Sequence, residues 1–210
     1  MNKFLDHLGI SKEWRISDIP SFSDELIGLV PTPVLAVLLL FPFSNKDNQY
    51  CKEREENSKM KCEAPKNLYF MSQTINKICG TVALIHAIAN NADKLNDSMA
   101  PDSLIKKFID SSKPLTPIKK GKALESSEEI ATTLLQCQTR DLGDKCDYHF
   151  VAFVQMDCKL FELDGRKLEP VFHGNTSEAS FLKDTGHICQ EYMLRDPHNL
   201  NFTALAFGAA

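Results

Sequence analysis

The sequence lacks a long hydrophobic run, a strong charge of either sign and an excess of glycine or proline. Its longest apolar run, VLAVLLLF, covers only eight residues from Val34 to Phe41, whereas a membrane-spanning helix needs about 20. We therefore expect a buried strand or helix segment there and no membrane association. The net charge of −4 provides no general attraction to nucleic acid. With 9 Gly, 10 Pro and 43% hydrophobic residues, the composition is typical of a globular protein.

The sequence also lacks the cysteine spacing of a structural zinc site. Seven cysteines occur, and none of them forms a C-x2-C pair, so we expect no metal and no other cofactor. An odd number of cysteines cannot all pair within one chain, which predicts free thiols. The first residues, MNKFLDHLGISKEW, are interrupted by Asp6 and His7 and do not resemble a secretory signal. We therefore expect a cytoplasmic protein, present in the nucleus as well.

The pattern of predicted strands and helices indicates an α+β fold in one domain covering residues 1–210. A length of 210 residues suits a single domain. Apolar residues at helical spacing predict a buried helix that begins near Cys79. The other elements lack the regular βαβ alternation of a parallel sheet: we expect a short strand at 68–71, a hairpin of 150–156 with 159–163, a helix over 178–195 whose N-terminus is near Asn175, and a strand at 202–207.

Cys79 has the features of a nucleophile. Gly80 and an apolar helix follow it directly, so its sulfur is expected at a helix N-terminus, where the unpaired amides and the helix dipole favour the thiolate. Gln73 precedes it by six residues, in the loop that enters the helix. Its amide can donate a hydrogen bond to an oxygen bound near the sulfur, and with the backbone amide of Cys79 it can form an oxyanion hole.

The predicted hairpin supplies a base for this nucleophile. If Asp157 and Cys158 form a two-residue turn, Asp164 lies opposite Val151, which is two residues from His149. His149 and Asp164 then share one face of the sheet as diagonal neighbours, a geometry that suits a carboxylate orienting an imidazole.

These residues suggest a Cys, His, Asp hydrolase with the layout of papain-like thiol proteases. Taken singly, each has an ordinary structural interpretation. Cys79 can be a buried thiol and Asp164 a turn former. Sequence spacing alone does not place Cys79 near His149, because 70 positions (149 minus 79) separate them.

A family resemblance connects the two halves of the site. The chain resembles the ubiquitin carboxyl-terminal hydrolases (UCH), a family of deubiquitinating cysteine proteases, through four motifs in chain order: LLLFP at 38–42, QTINKICGTVALIHAIANN at 73–91, YHFVAF at 148–153 and LFELDGRKLEPVFHG at 160–174. The resemblance implies a papain-like fold with a mainly antiparallel central sheet flanked by helices, a knotted chain, and a crossover loop over the active site within residues 125–147.

The same resemblance assigns roles to the candidate residues. It implies Cys79 as nucleophile, His149 as general base and acid, Asp164 as the residue that orients His149, and Gln73 as oxyanion donor. The implied reaction is hydrolysis of amide, ester or thioester bonds at the C-terminal glycine of ubiquitin, with small or unstructured leaving groups.

The resemblance also suggests the partner. It implies that the protein is a monomer that binds ubiquitin or the related Nedd8. Asp24 and Glu25 lie in a segment that faces the tail of ubiquitin in relatives, so both are candidate substrate contacts.

Two alternatives remain open. Lys77 and Ile78 stand where the family typically has Asn followed by Ser or Ala. This departure leaves room for a ubiquitin-binding protein with little turnover. The other alternative is a hydrolase that prefers a ubiquitin-like modifier.

Overall fold

The computed structural model describes residues 1–43, 63–75, 78–137, 148–195 and 201–210. None of the helices in these ranges is long and apolar enough to cross a membrane. The helices are α1 (Asn2–Leu8), α2 (Asp24–Ile27), α3 (Cys79–Ala89), α4 (Leu104–Ser112), α5 (Pro117–Glu125), α6 (Glu128–Cys137) and α7 (Phe181–Arg195), with a 3-10 turn at Asn96–Ser98.

One antiparallel sheet forms the centre of the fold. Its strands are β1 (Trp14–Asp18), β2 (Val34–Pro42), β3 (Tyr148–Met156), β4 (Lys159–Leu163), β5 (Val171–Asn175) and β6 (Thr203–Ala209). Their order across the sheet is β1-β6-β2-β3-β4-β5, and every neighbouring pair is antiparallel. Helices cover both faces, which confirms the predicted α+β class. The apolar run that begins at Val34 forms the strand β2, paired on both sides with other strands.

The sheet separates two apolar clusters. The larger one packs α3 against one face of the sheet, and Thr81 to Ile88 of this helix are all buried. The smaller one packs α7 against the other face, with Phe181, Cys189 and Tyr192 as its buried contacts. The predicted central helix is therefore confirmed, and it begins at Cys79 as expected.

The predicted start of α7 is wrong by a few residues. Asn175 is the last residue of β5, and the helix begins at Phe181. Ser177 and Ser180 each accept a hydrogen bond from the other's backbone amide, both at 3.1 Å. This reciprocal serine pair satisfies amides before the first helical turn, so the N-terminus of the helix lies here rather than near Asn175.

The predicted strand at Leu68–Met71 is absent. The segment is buried, but side chains rather than a neighbouring strand satisfy its backbone. Asn90 accepts from the amide of Tyr69 at 2.7 Å and donates to its carbonyl at 2.8 Å. His86 accepts from the amide of Met71 at 3.0 Å. Buried backbone groups need partners, and here α3 and the residue that follows it supply them.

The predicted crossover region falls only partly within the described residues. Helix α6 occupies Glu128–Cys137, whereas residues 138–147, and with them the rest of the expected loop, lie outside the described ranges. The knot implied by the family resemblance stays a prediction.

Candidate active site

Cys79 is the first residue of α3 and is partly buried. Its Sγ lies 4.0 Å from the carbonyl oxygen of Tyr148, the residue before His149. Burial raises the pKa of the thiol, but the interaction with His149 and the backbone amides of Phe150 and Gly80 outweigh it, so the pKa lies below its ordinary value. The structure therefore brings together the two halves of the site that sequence spacing left apart.

His149 and Asp164 form a buried pair. The Nε2–H group of His149 donates to Oδ1 of Asp164 at 2.7 Å, and both side chains are almost completely buried. The backbone amide of Arg166 donates to the same Oδ1 at 2.9 Å and fixes the carboxylate. Nδ1 of His149 is buried and has no hydrogen-bond partner among the described residues, so Asp164 holds the ring through Nε2.

Asp164 stabilises the protonated form of His149. Burial lowers the pKa of His149, but the bond to Asp164 and the interaction with Cys79 raise it by more, so the pKa lies above its ordinary value. A lowered thiol pKa beside a raised imidazole pKa favours the thiolate and imidazolium form of the pair.

The predicted hairpin register explains why His149 meets Asp164. Met156 pairs with Lys159 and Ala152 pairs with Leu163, as the two-residue turn requires. Asp157 and Cys158 both adopt positive φ, at 52° and 57°, the conformation of a type I′ hairpin turn. Asp164 directly follows β4 and lies on the same face of the sheet as His149.

Aromatic rings enclose the imidazole of His149. Phe41 and Phe43 approach it nearly edge-on, with ring centroids at 5.7 Å and 5.6 Å. The guanidinium group of Arg166 lies over the ring of Phe43 at 4.3 Å. These contacts restrict the rotation of His149, and the sequence alone did not identify them.

Gln73 lies in a loop whose backbone is held by hydrogen bonds to neighbouring segments. Its backbone amide donates to the carbonyl of Gly165 at 2.7 Å, and the amide of Ser72 donates to the carbonyl of Pro117 at 3.0 Å. A Cβ atom at Gly165 would stand 3.0 Å from Cβ of Gln73 and 2.9 Å from Val82, one turn into α3. Gly165 therefore places Gln73 next to both Asp164 and the N-terminus of α3. Its role as oxyanion donor stays a prediction.

The remaining sequence candidates lie elsewhere or outside the described residues. Asp24 and Glu25 are exposed on α2, and Asp24 forms an ion pair with Lys183 of α7 at 2.7 Å. Their role as substrate contacts stays a prediction. Ile78 is partly buried against the larger apolar cluster, whereas Lys77 is not among the described residues.

His86 has a positioning contact that the sequence did not reveal. Burial lowers its pKa to about 4, so the ring is neutral at pH 7. Nε2 accepts from the amide of Met71, two residues before Gln73, and the ring stacks on Phe70 at 5.4 Å. In the sequence, the one indication of a role for His86 is its place on the buried helix, seven residues after Cys79.

Across residues 1–43, 63–75, 78–137, 148–195 and 201–210, no group of three or more His, Cys, Asp or Glu side chains is arranged to hold a metal ion.

Comparison with known proteins identifies relatives of this chain. The family described as ubiquitin carboxyl-terminal hydrolase, family 1, matches residues 1–194. The ubiquitin carboxyl-terminal hydrolase isozyme L1 of Rattus norvegicus is 38% identical over 209 residues, which cover 98% of this chain and 92% of that protein. The ubiquitin carboxyl-terminal hydrolase of Drosophila melanogaster is 36% identical over 216 residues, covering 100% and 93% of the two chains.

A solved structure shares the fold. The catalytic domain of Trichinella spiralis UCH37, bound to ubiquitin vinyl methyl ester, superposes with a TM-score of 0.78 at 19% sequence identity. The match covers 100% of this chain and 91% of that domain. It confirms the predicted architecture.

Proposed function

The chain belongs to ubiquitin carboxyl-terminal hydrolase family 1 and is a cysteine-type hydrolase, and from this premise we propose that Cys79, His149 and Asp164 form its catalytic triad. The observation that carries the proposal is the buried bond from His149 to Asp164, next to a Cys79 that begins a buried helix. Family membership favours this activity over a ubiquitin-binding protein without turnover.

The geometry supports the usual sequence of thiol protease steps. Nδ1 of His149 accepts the thiol proton, and the thiolate attacks the carbonyl carbon of the C-terminal glycine. The amide of Gln73 and the backbone amide of Cys79 stabilise the oxyanion. His149 then protonates the leaving group, which departs and leaves a thioester on Cys79. Water, deprotonated by His149, hydrolyses this thioester and regenerates the thiol.

The substrate is ubiquitin, with Nedd8 as a second candidate. The relative from Trichinella spiralis is bound to a ubiquitin derivative, which supports ubiquitin as the partner. Small or unstructured leaving groups are preferred, on the expectation of a crossover loop within residues 125–147. We place Asp24 and Glu25 at the substrate surface because they are exposed on α2.

A monomer in the cytoplasm, present in the nucleus as well, fits this function. Cys79, Cys158 and Cys189 are free thiols, which accords with a reducing compartment.

Hydrolysis of a fluorogenic amide at the C-terminus of ubiquitin tests the proposal. We expect the wild-type protein to turn over and the Cys79→Ala and His149→Ala variants to lose about a thousandfold or more in kcat, as removal of a nucleophile or base usually causes. Binding of free ubiquitin to the same samples provides the folding control. A parallel assay with the Nedd8 amide measures the preference between the modifiers.

Two results would contradict the assignment. If all three proteins bind ubiquitin and none cleaves the amide, the protein is a ubiquitin binder. If Cys79→Ala retains the wild-type rate, another residue is the nucleophile.

A further inference from the structure

Glu162 is a fully buried carboxylate that the triad chemistry does not use. It lies in β4, two residues before Asp164, and only 1% of its surface is exposed. Residues two apart in a strand point to the same side, so Glu162 lies on the face of the sheet that carries His149 and Asp164. This face packs against α7 through Tyr192 and Cys189.

Three side chains donate hydrogen bonds to this carboxylate. Lys167 donates to Oε1 at 2.6 Å, His173 donates to Oε2 at 2.8 Å, and the hydroxyl of Tyr192 donates to Oε1 at 2.9 Å. Burial raises the pKa of Glu162, but Lys167 and His173 more than compensate and hold it well below its ordinary value. Glu162 is thus charged at pH 7, and its charge is compensated by three hydrogen-bond donors, as a buried charge requires.

Two of these partners, Lys167 and Tyr192, also connect Glu162 to Asp164 and His149. Lys167 donates its backbone amide to the carbonyl of Asp164 at 3.0 Å, so the bond from its side chain to Glu162 holds the turn that begins at Asp164. The Gly165 carbonyl in the same turn accepts from the amide of Gln73.

The second link runs through aromatic rings. Tyr192 packs on Phe41 with ring centroids 4.8 Å apart. Phe41 in turn packs against the imidazole of His149. Glu162 therefore restrains both residues of the pair. It acts on Asp164 through Lys167 and on His149 through Tyr192 and Phe41.

We propose that Glu162, with Lys167 and Tyr192, is a positioning group that holds Asp164 and His149 in the alignment needed to form and use the Cys79 thiolate. This inference rests on the proposed triad. The other explanation is that the cluster only stabilises the fold. Removal of one partner from a buried charged group is strongly destabilising in any protein, so a loss of stability does not distinguish the two.

Four variants separate positioning from stability. Tyr192→Phe removes one hydroxyl and keeps the ring on Phe41. Lys167→Met removes the cation and keeps the length of the side chain, whereas Lys167→Arg restores a cation that can bond a carboxylate. Glu162→Gln keeps the shape and removes the charge. Lys94→Met, from the exposed pair of Lys94 with Glu178 at 2.8 Å, is the matched control.

The measurements are kcat and KM on the ubiquitin amide, the melting temperature, and the pH dependence of Cys79 alkylation by iodoacetamide, followed by mass spectrometry of the Cys79 peptide. Alkylation reports the thiolate without any substrate. It therefore tests positioning even if the amide is not turned over, and wild-type activity and the Cys79→Ala variant test the triad separately.

We expect Lys167→Met and Glu162→Gln to lower kcat about tenfold or more with little change in KM, because small displacements of catalytic groups have large effects on rate. The midpoint of Cys79 alkylation shifts to higher pH in both, and Tyr192→Phe shows a smaller change in the same direction. Lys167→Arg recovers most of the rate, and Lys94→Met matches the wild type.

The proposal is overturned if folded Tyr192→Phe and Lys167→Met have lower melting temperatures but wild-type kcat and wild-type alkylation profiles. It is also overturned if Lys167→Arg is as slow as Lys167→Met while it melts like the wild type. If Glu162→Gln does not fold, the tyrosine and lysine variants decide the question.

Discussion

At the scale of single residues, Asp164 has two hydrogen-bond donors on one oxygen, the imidazole of His149 and the amide of Arg166. The second donor matters because it fixes the carboxylate independently of the imidazole. The pKa of Cys79 lies below its ordinary value and that of His149 above. Both shifts favour the thiolate and imidazolium form of the pair and so widen the pH window in which this form occurs.

The first prediction concerns this window. Replacement of Asp164 by Asn removes the negative charge that raises the pKa of His149, so the imidazolium is less stable. Loss of this charge weakens the support that His149 gives to the thiolate. We expect kcat on the ubiquitin amide to fall roughly a hundredfold or more, and the midpoint of Cys79 alkylation to move to higher pH.

The control for this variant is Asp102→Asn, which changes an exposed carboxylate 3.8 Å from Lys107. It should leave both measurements unchanged. An Asp164→Asn protein with the wild-type alkylation midpoint would mean that Asp164 does not support the pair.

How much of the site was predictable depends on which forces position each residue. The pairing of His149 with Asp164 follows from a local turn at Asp157 and Cys158, because a two-residue turn determines hairpin register. The approach of Cys79 to His149 depends on how α3 packs on the sheet, which spacing along the chain does not encode. Family resemblance supplied that step.

At the scale of elements, Gln73 is placed by two loops that touch at Gly165. The absence of a side chain at Gly165 allows the loop to approach, since a Cβ atom there would stand 2.9 Å from Val82 and 3.1 Å from the amide nitrogen of Gln73. The contact connects the turn after β4 with the segment before α3.

We expect Gly165→Ala to displace Gln73 more than it affects the rest of the fold. Overpacking of this kind costs about 1–3 kcal/mol in stability, and displacement of the oxyanion donor should lower kcat about tenfold or more. Steady-state kinetics with urea unfolding on the same samples measure both effects.

Gly28→Ala is the matched control for this substitution. Nothing lies within 4 Å of a Cβ atom at Gly28, and its φ of −68° suits alanine, so kcat should be unchanged. Equal kcat in Gly165→Ala and the wild type would show that the loop tolerates the shift.

The segment at 68–71 shows why one element was predicted incorrectly. Its aromatic and apolar residues have strand propensity, but propensity reflects packing on a half-buried surface rather than a preference for a partner strand. His86 of α3 and Asn90, which directly follows this helix, occupy the positions where a partner strand would bond. Long-range side-chain contacts of this kind leave no periodic signal in the sequence.

At the scale of the whole molecule, buried titratable groups make stability depend on pH. The folded pKa of His86 is about 4, below the value of about 6.5 expected in the unfolded chain. The unfolded chain therefore binds more protons at acidic pH. The contribution of His86 is fully present above pH 6.5 and is lost as the pH falls towards 4. Glu162 acts in a lower window, because its folded pKa lies well below the ordinary value.

We expect the free energy of unfolding to decrease by about 3 kcal/mol through His86 alone as the pH falls from 7.5 towards 4, since 1 pKa unit is worth about 1.4 kcal/mol. Urea unfolding at a series of pH values measures it. The His86→Gln variant, which keeps a side chain able to accept from Met71, should be less stable at pH 7.5 and should show a flatter pH dependence. Parallel curves for the two proteins would contradict this assignment.

The strand order has a consequence for how the protein is made. Strand β6, residues 203–209, lies between β1 and β2, although those two strands are translated long before it. Until β6 leaves the ribosome, β1 has no neighbour in the sheet and the apolar β2 presents an open edge, a known template for aggregation. The nascent chain therefore passes through a stage that favours protection by a chaperone, and the sheet is complete only when β6 has paired with β1 and β2.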